Sequence, residues 1–415
     1  MLLLSIACTK APDEEDSVAV SGGAGSWITD GIKVISAPAG SGTTVAVVDG
    51  SSQDLKVRVF DADSGEFRFS APYWPSRMYG GMGVGGPAVV DDVVIGLEPA
   101  EFGDVLVAYD GVSGKKLWEE EDMFSFAPYE CDAFVCTEEG EEDDGVLIAR
   151  DPRTGEQKWS IQGSQTFVVN EDGLIVMIGL GTPILSSLDP KTGSQKWRID
   201  LSETFGPGSS TDYGWNAHLV ENVVIASVPG SAADEVPGGS AGVNPADGTV
   251  LWSRPELDLC PMHIDGMALL CGAESGMRRI NPATGQDLWV TEQFSYLQAL
   301  GPFMGITSNL SHLVAHDSAG KTIAIDAATG TVGEPDPNAL AWMVVVQEAK
   351  ARRSDRGEAT SYIGLIEPVP WNVAEAKPAE VREASEIPEF VGVALSKTHV
   401  FVDGEGNLRS LSTAT

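Results

Sequence analysis

Seven times along the chain an Asp or Asn is followed by Gly four positions later, and five times by Trp eight positions later. The copies are Asp61, Gly65 and Phe69; Asp110, Gly114 and Trp118; Asp151, Gly155 and Trp159; Asp189, Gly193 and Trp197. Then come Asn244, Gly248 and Trp252; Asn281, Gly285 and Trp289; and Asp326 and Gly330, with Glu334 in the aromatic place. Successive copies are 49, 41, 38, 55, 37 and 45 residues apart. A self-similarity of that period means stacked supersecondary units, and it constrains the fold before any local reading does.

Each position in the unit has a physical role. The segments ahead of the motif, such as KVRVF, VLVAY, GVLIAR and TIAI, alternate and are rich in β-branched residues, as half-buried strands are. The Asp or Asn side chain accepts hydrogen bonds from the following backbone N–H groups and ends the strand in a turn. Pro comes next in four copies and fixes φ for that turn. The Gly supplies a site with positive φ, and the aromatic ring then lands on the returning strand as the largest buried group of the unit. About four short strands per ~40-residue period describe a blade of an all-β propeller better than a β-sandwich or a linear solenoid. At the C-terminal end FVGVALS, HVFVDGE and NLRSLS supply three strands without a Trp-bearing fourth, while Trp27 in GSWITD has no unit of its own. Joining the two ends yields an eight-bladed ring closed by N- and C-terminal strands, with seven blades as the runner-up.

DPRTGEQKW and DPKTGSQKW resemble the repeat of the pyrroloquinoline-quinone (PQQ)-like propellers, in which a small residue, Asp, Thr-Gly and Trp recur in each blade. Small residues stand two positions before the Asp or Asn in Ala108, Ala149, Ser187, Gly242 and Ala324; Val59 and Arg279 depart from this. The resemblance spans roughly residues 25–412. It implies two kinds of activity. Some members are quinoprotein dehydrogenases that hold the quinone over a tryptophan floor, beside calcium and a disulfide of adjacent cysteines; this chain has no Cys-Cys pair. Others, the BamB-like lipoproteins of outer-membrane assembly, are lipid-anchored scaffolds without catalysis.

Charge narrows the partners. Against 26 Lys and Arg stand 61 Asp and Glu, a net charge of −35, which opposes nucleic acid, whose binding needs a basic footprint. The acidic runs at 138–144 and 403–407 lack the D-x-D-x-D-G spacing that wraps calcium, so no metal is expected. MLLLSIAC is apolar and ends in a small residue before Cys8, similar to the end of a bacterial lipoprotein signal, although it lacks a basic n-region and its apolar run is short. The expected organisation is a signal remnant at 1–8 with Cys8 lipidated, a polar tether at 9–25, and one propeller domain at 26–415 with an irregular insertion at about 331–389. No later segment approaches the ~20 apolar residues of a membrane-spanning helix.

Removing Cys8 from the five cysteines leaves Cys131, Cys136, Cys260 and Cys271. Each local pair falls on the first and second strands of one unit, close enough for Cys131–Cys136 and Cys260–Cys271 disulfides; four reduced buried thiols are the alternative. Their spacing does not suit a zinc finger. Anchor and disulfides together point outside the cytoplasm. The five histidines are scattered, and His312 and His316 lie in strand territory, too far apart to share a metal. No phosphate loop, nucleophile elbow or other catalytic constellation emerges. From 330 to 390 the rhythm breaks: two strand-like segments flank the tip ARRSDRGE, and a short helix is expected after them. Arg352, Arg353 and Arg356 form a basic cluster there and are the candidate partner contact, against the plainer reading of a solvated hairpin tip. The expected function is a non-catalytic, lipid-anchored, monomeric scaffold of the bacterial cell envelope that binds a protein partner and needs no cofactor. A PQQ-dependent dehydrogenase or a ligand-binding sensor is the alternative.

Overall fold

Continuous apolar runs such as TVAVVD (Thr44–Asp49) and VVIASV (Val223–Val228) become strands buried along their whole length, because a neighbouring sheet covers each face. Trp-bearing strands such as QKWSIQ (Gln157–Gln162) instead bury the indole and expose the residues on either side. In the computed structural model the described residues are 18–23, 25–51, 55–74, 86–99, 104–123, 128–139, 145–162, 164–170, 173–178, 181–211, 216–230, 236–255, 257–259, 267–272, 276–292, 304–316, 321–352, 359–373, 375, 377–388 and 391–413. Their strands fall into eight antiparallel sheets.

The first six sheets each contain four strands in chain order, running over residues 39–72, 88–123, 129–162, 164–200, 216–255 and 258–291. The seventh begins in the same way at Met304–Thr307, His312–His316 and Thr322–Asp326, but its fourth strand is only Val332–Gly333. On its opposite edge Leu340–Arg352 pairs with Met304–Thr307 through Ile306↔Trp342, and Ala359–Asn372 pairs in turn with Leu340–Arg352. The irregular insertion is therefore a long hairpin added to a sheet. Among the described residues no α-helix follows it: the segment forms the two-residue strand Lys377–Pro378 and a single 3-10 turn at Ala384–Glu386. Lys377 and Pro378 pair instead with Asn372 and Trp371 of the hairpin, and Pro388, which has no N–H to donate, stands just after the 3-10 turn.

The eighth sheet joins both chain regions. Val393–Ala394, Thr398–Val402 and Leu408–Ser412 are followed in space by Ser26–Asp30, paired through Ile28↔Arg409. Thr29 fastens this junction by donating to the Leu408 carbonyl at 3.2 Å and accepting from its N–H at 3.0 Å. Ala19–Gly23, read from sequence as part of the tether, adds a fifth strand outside Ser26–Asp30. Val18 and Val20 account for this ordering, since both pack onto the apolar cluster around Trp27.

Candidate functional site

The repeated residues come together between sheets rather than in a cleft. In each copy the Gly N–H donates to the carbonyl of the Asp or Asn four residues back at 2.8–2.9 Å, and φ at the seven glycines lies between 66° and 76°. The Asp side chain accepts from the N–H groups two and three positions on, as Asp326 does from Ala328 and Thr329. Hydrogen bonds from the Ser113 backbone and hydroxyl hold the Asp110 carboxyl below the usual range, and those from the Thr329 hydroxyl and backbone do the same for Asp326.

This tight turn receives the aromatic ring of the preceding sheet. The indole N–H groups of Trp27, Trp118, Trp159, Trp197, Trp252 and Trp289 donate to the carbonyls of Ala62, Pro152, Pro190, Pro245, Pro282 and Ala327 at 2.5–3.0 Å. Every acceptor is the residue immediately after the Asp or Asn of the next copy. The turn glycine lies under the ring: a Cβ at Gly285 would approach Trp252 to 2.6 Å. The small residue before the motif makes room from the other side, because it pairs directly across from the Trp, as in Ala149↔Trp159 and Gly242↔Trp252. At Gly242 a Cβ would meet the indole at 2.3 Å.

Two of the departures from the repeat are compensated locally. Phe69 has no N–H, and Arg68 beside it donates to the Gly111 carbonyl, the equivalent acceptor, at 3.2 Å. Arg279 stands where a small residue is usual and places its guanidinium on the Ala327 carbonyl at 2.6 Å, beside Trp289. The seventh sheet lacks an aromatic at Glu334, and Trp342 from the inserted hairpin takes over. It is fully buried, donates to the Glu386 carbonyl at 2.9 Å, and meets Phe401 of the eighth sheet edge-on with ring centroids 5.7 Å apart. Sequence periodicity missed Trp342 because it stands eight residues beyond the place the repeat assigns.

The third sheet holds the disulfide Cys131–Cys136, with the Cα atoms 5.8 Å apart. Cys271 is also disulfide-bonded, while Cys260, its expected partner, lies outside the described residues. Near the first disulfide, Glu138 is buried without a hydrogen-bond partner for Oε2, and that burial pushes its carboxyl up to about 8. Cys8, Arg353 and Arg356 also lie outside the described residues; Arg352 ends the first strand of the hairpin, with only its backbone described. Among the described residues no three His, Cys, Asp or Glu side chains converge in a metal-binding group. No helix among them is long and apolar enough to cross a membrane.

Short antiparallel sheets wedged together by a Trp on the next sheet's turn define the class: this is a β-propeller of PQQ-like repeats. The chain belongs to the family described as outer membrane protein assembly factor BamB, which matches it over residues 103–227, 143–257 and 184–338, together more than half its length. None of the curated proteins matches it. Among solved structures, BamB from Moraxella catarrhalis is similar at 13% identity, covering 90% of this chain and 93% of its own, with a TM-score of 0.49. The quinohemoprotein alcohol dehydrogenase from Comamonas testosteroni is similar at 13% identity, covering 88% and 78%, with a TM-score of 0.48. The computationally designed Ika8 protein is similar at 16% identity, covering 81% and 97%, with a TM-score of 0.46.

Proposed function

We propose that this chain is a non-catalytic scaffold of the bacterial cell envelope, anchored outside the cytoplasm by lipid on Cys8 and engaging a protein partner as a monomer. The observation that carries the reading is where the repeated residues are spent. The Trp N–H groups, turn carboxylates and glycines join one sheet to the next, so the repeat builds a rigid disc whose loops are left for recognition. Membership of the BamB family supports the same reading. In this proposal the eight sheets are eight blades, the pairing of Ser26–Asp30 with Leu408–Ser412 closes the ring, and residues 26–415 form one domain. Cys260 and Cys271 form the second disulfide. The tip bearing Arg352, Arg353 and Arg356 docks onto an acidic partner, as a local reversal of sign on a chain of net charge −35.

The test is crosslinking in cells with the wild-type chain and with Arg352, Arg353 and Arg356 all replaced by Ser. Capture of one defined envelope protein, weakened by the triple substitution and by salt, is the expected result. Equal capture by both proteins removes the tip from the proposal. Appearance of a quinone chromophore and dye-linked alcohol oxidation after addition of PQQ and calcium would replace the scaffold with the dehydrogenase alternative.

A further inference from the structure

The seventh sheet departs from the other units where its wedge belongs, and a cavity opens there. Its fourth strand stops at Gly333, and Glu334, in the aromatic place, holds its side chain out in solvent beside Lys321. Ala324, the small residue that elsewhere faces a Trp ring, pairs with Gly333 and lines an opening of about 470 Å³. That volume lies within the 300–1,000 Å³ usual for ligand sites.

The lining has two parts. Val314, Ala324, Leu340 and Val373 supply an apolar floor, and the acidic residues Glu334, Asp336 and Glu386 line the same opening, the Glu386 carboxylate being held by the Arg382 and Glu383 N–H groups at 2.8 and 3.1 Å. An apolar stem ending in a fixed positive charge satisfies both parts: methylenes lie on the floor and the cation meets the exposed Glu334 and Asp336 carboxylates. Glu334 already takes the Lys321 ammonium, which is the pairing in question. Asp336 keeps carboxylate capacity, because its Oδ1 receives only the local Asn338 N–H at 2.9 Å among the described residues. Trp342 does not fill the space. It serves the neighbouring junction with Phe401 and the Glu386 carbonyl and is not among the residues that line the opening.

We propose that this cavity is a binding site for an alkylammonium or alkylguanidinium group. Such a group can come from a Lys or Arg side chain of a protein or from a free polyamine, and the two sources are separable. The proposal uses none of the arginines of the tip and does not depend on the scaffold reading.

Isothermal titration of the full chain at low salt tests it with four probes: N-acetyl-lysine-N-methylamide, N-acetyl-arginine-N-methylamide, 1,5-diaminopentane and uncharged N-acetyl-norleucine-N-methylamide. At least one cationic probe binds and the norleucine compound does not. Preference for the amides identifies a protein side chain, and preference for the diamine identifies a polyamine. Glu334→Gln with Asp336→Asn weakens binding about tenfold or more, and Ala339→Phe, which fills the cavity without altering charge, abolishes it. Glu119→Gln with Glu120→Gln on the second sheet leaves binding unchanged. Should Ala339→Phe fail to fold, the carboxylate pair carries the test, since both groups are exposed. Equal binding of norleucine, equal loss in the second-sheet variant, or no binding by any cation overturns the proposal.

Discussion

Replacing Trp342 separates what a wedge contributes by packing from what it contributes by its N–H. The side chain is fully buried against Phe401, Val381, Ile387 and Leu411, so Trp342→Ala leaves a hole the size of an indole. Truncations of that kind cost about 3–5 kcal/mol. Trp342→Phe keeps most of the ring but removes the donor to the Glu386 carbonyl at 2.9 Å and to the Ser308 hydroxyl at 3.1 Å. Leaving the half-buried Glu386 carbonyl without that partner costs at most about 1–3 kcal/mol. In urea, with a slope of ~3 kcal/mol per M, the Ala variant should shift the midpoint down by about 1–1.7 M and the Phe variant by about 0.3–1 M. Trp252→Ala, at a regular junction, should match Trp342→Ala. A Trp342→Ala midpoint indistinguishable from wild type, beside a large shift for Trp252→Ala, would refute the assignment of Trp342 as the wedge between the seventh and eighth sheets.

Gly285→Ala combines a left-handed φ of +66° with a 2.6 Å collision on Trp252, and should lower the urea midpoint by about 2–4 kcal/mol equivalent. Gly333→Ala, with nothing within 4 Å of its new Cβ, should be close to neutral in the same assay. Cys131→Ala with Cys136→Ala removes a crosslink of five-residue separation and should cost about 2 kcal/mol more in oxidising than in reducing buffer. Glu138 sets an alkaline limit. Burial raises its carboxyl from 4.5 to about 8, so its contribution is intact below pH 4.5 and is lost as pH rises through 8. That loss, on the order of 3–5 kcal/mol and accruing between pH 4.5 and about 8, should be absent from a pH 4–9 melting series of Glu138→Gln. A wild-type series as flat as that of the variant would count against the buried carboxyl.

Much of the fold was legible because the repeat is local. Asp, Gly and Trp act within nine residues, and each turn closes on itself through the same Gly N–H bond. The partner of each Trp was not legible from the unit, since the acceptor carbonyl lies 30 to 48 residues away in the next sheet. Trp342 escaped for a different reason: it arrives on an added hairpin strand, outside the phase that the other aromatics keep. Ala19–Gly23 looked like tether because only Val18 and Val20 carry its apolar contact, too short an alternation to stand out among Ser and Gly. At the candidate cavity the informative residues were visible as exceptions. Glu334 breaks the aromatic pattern and Ala324 keeps the small one, but only three-dimensional packing turns that mismatch into a cavity.

The central structural claim is that the chain's two end regions share the eighth sheet, so that every sheet is wedged to a next one. Hydrogen–deuterium exchange of the full chain tests it at one place, the peptide covering Ser26–Asp30. Paired to Leu408–Ser412 and pinned by Trp27 on the Ala62 carbonyl, its amides should be protected as strongly as those of Phe67–Pro72, the equivalent strand of the first sheet. Deletion of residues 1–30 should in turn strip protection from Leu408–Ser412. Exchange of Ser26–Asp30 at the rate of an unstructured peptide, with Leu408–Ser412 unaffected by the deletion, would contradict the account.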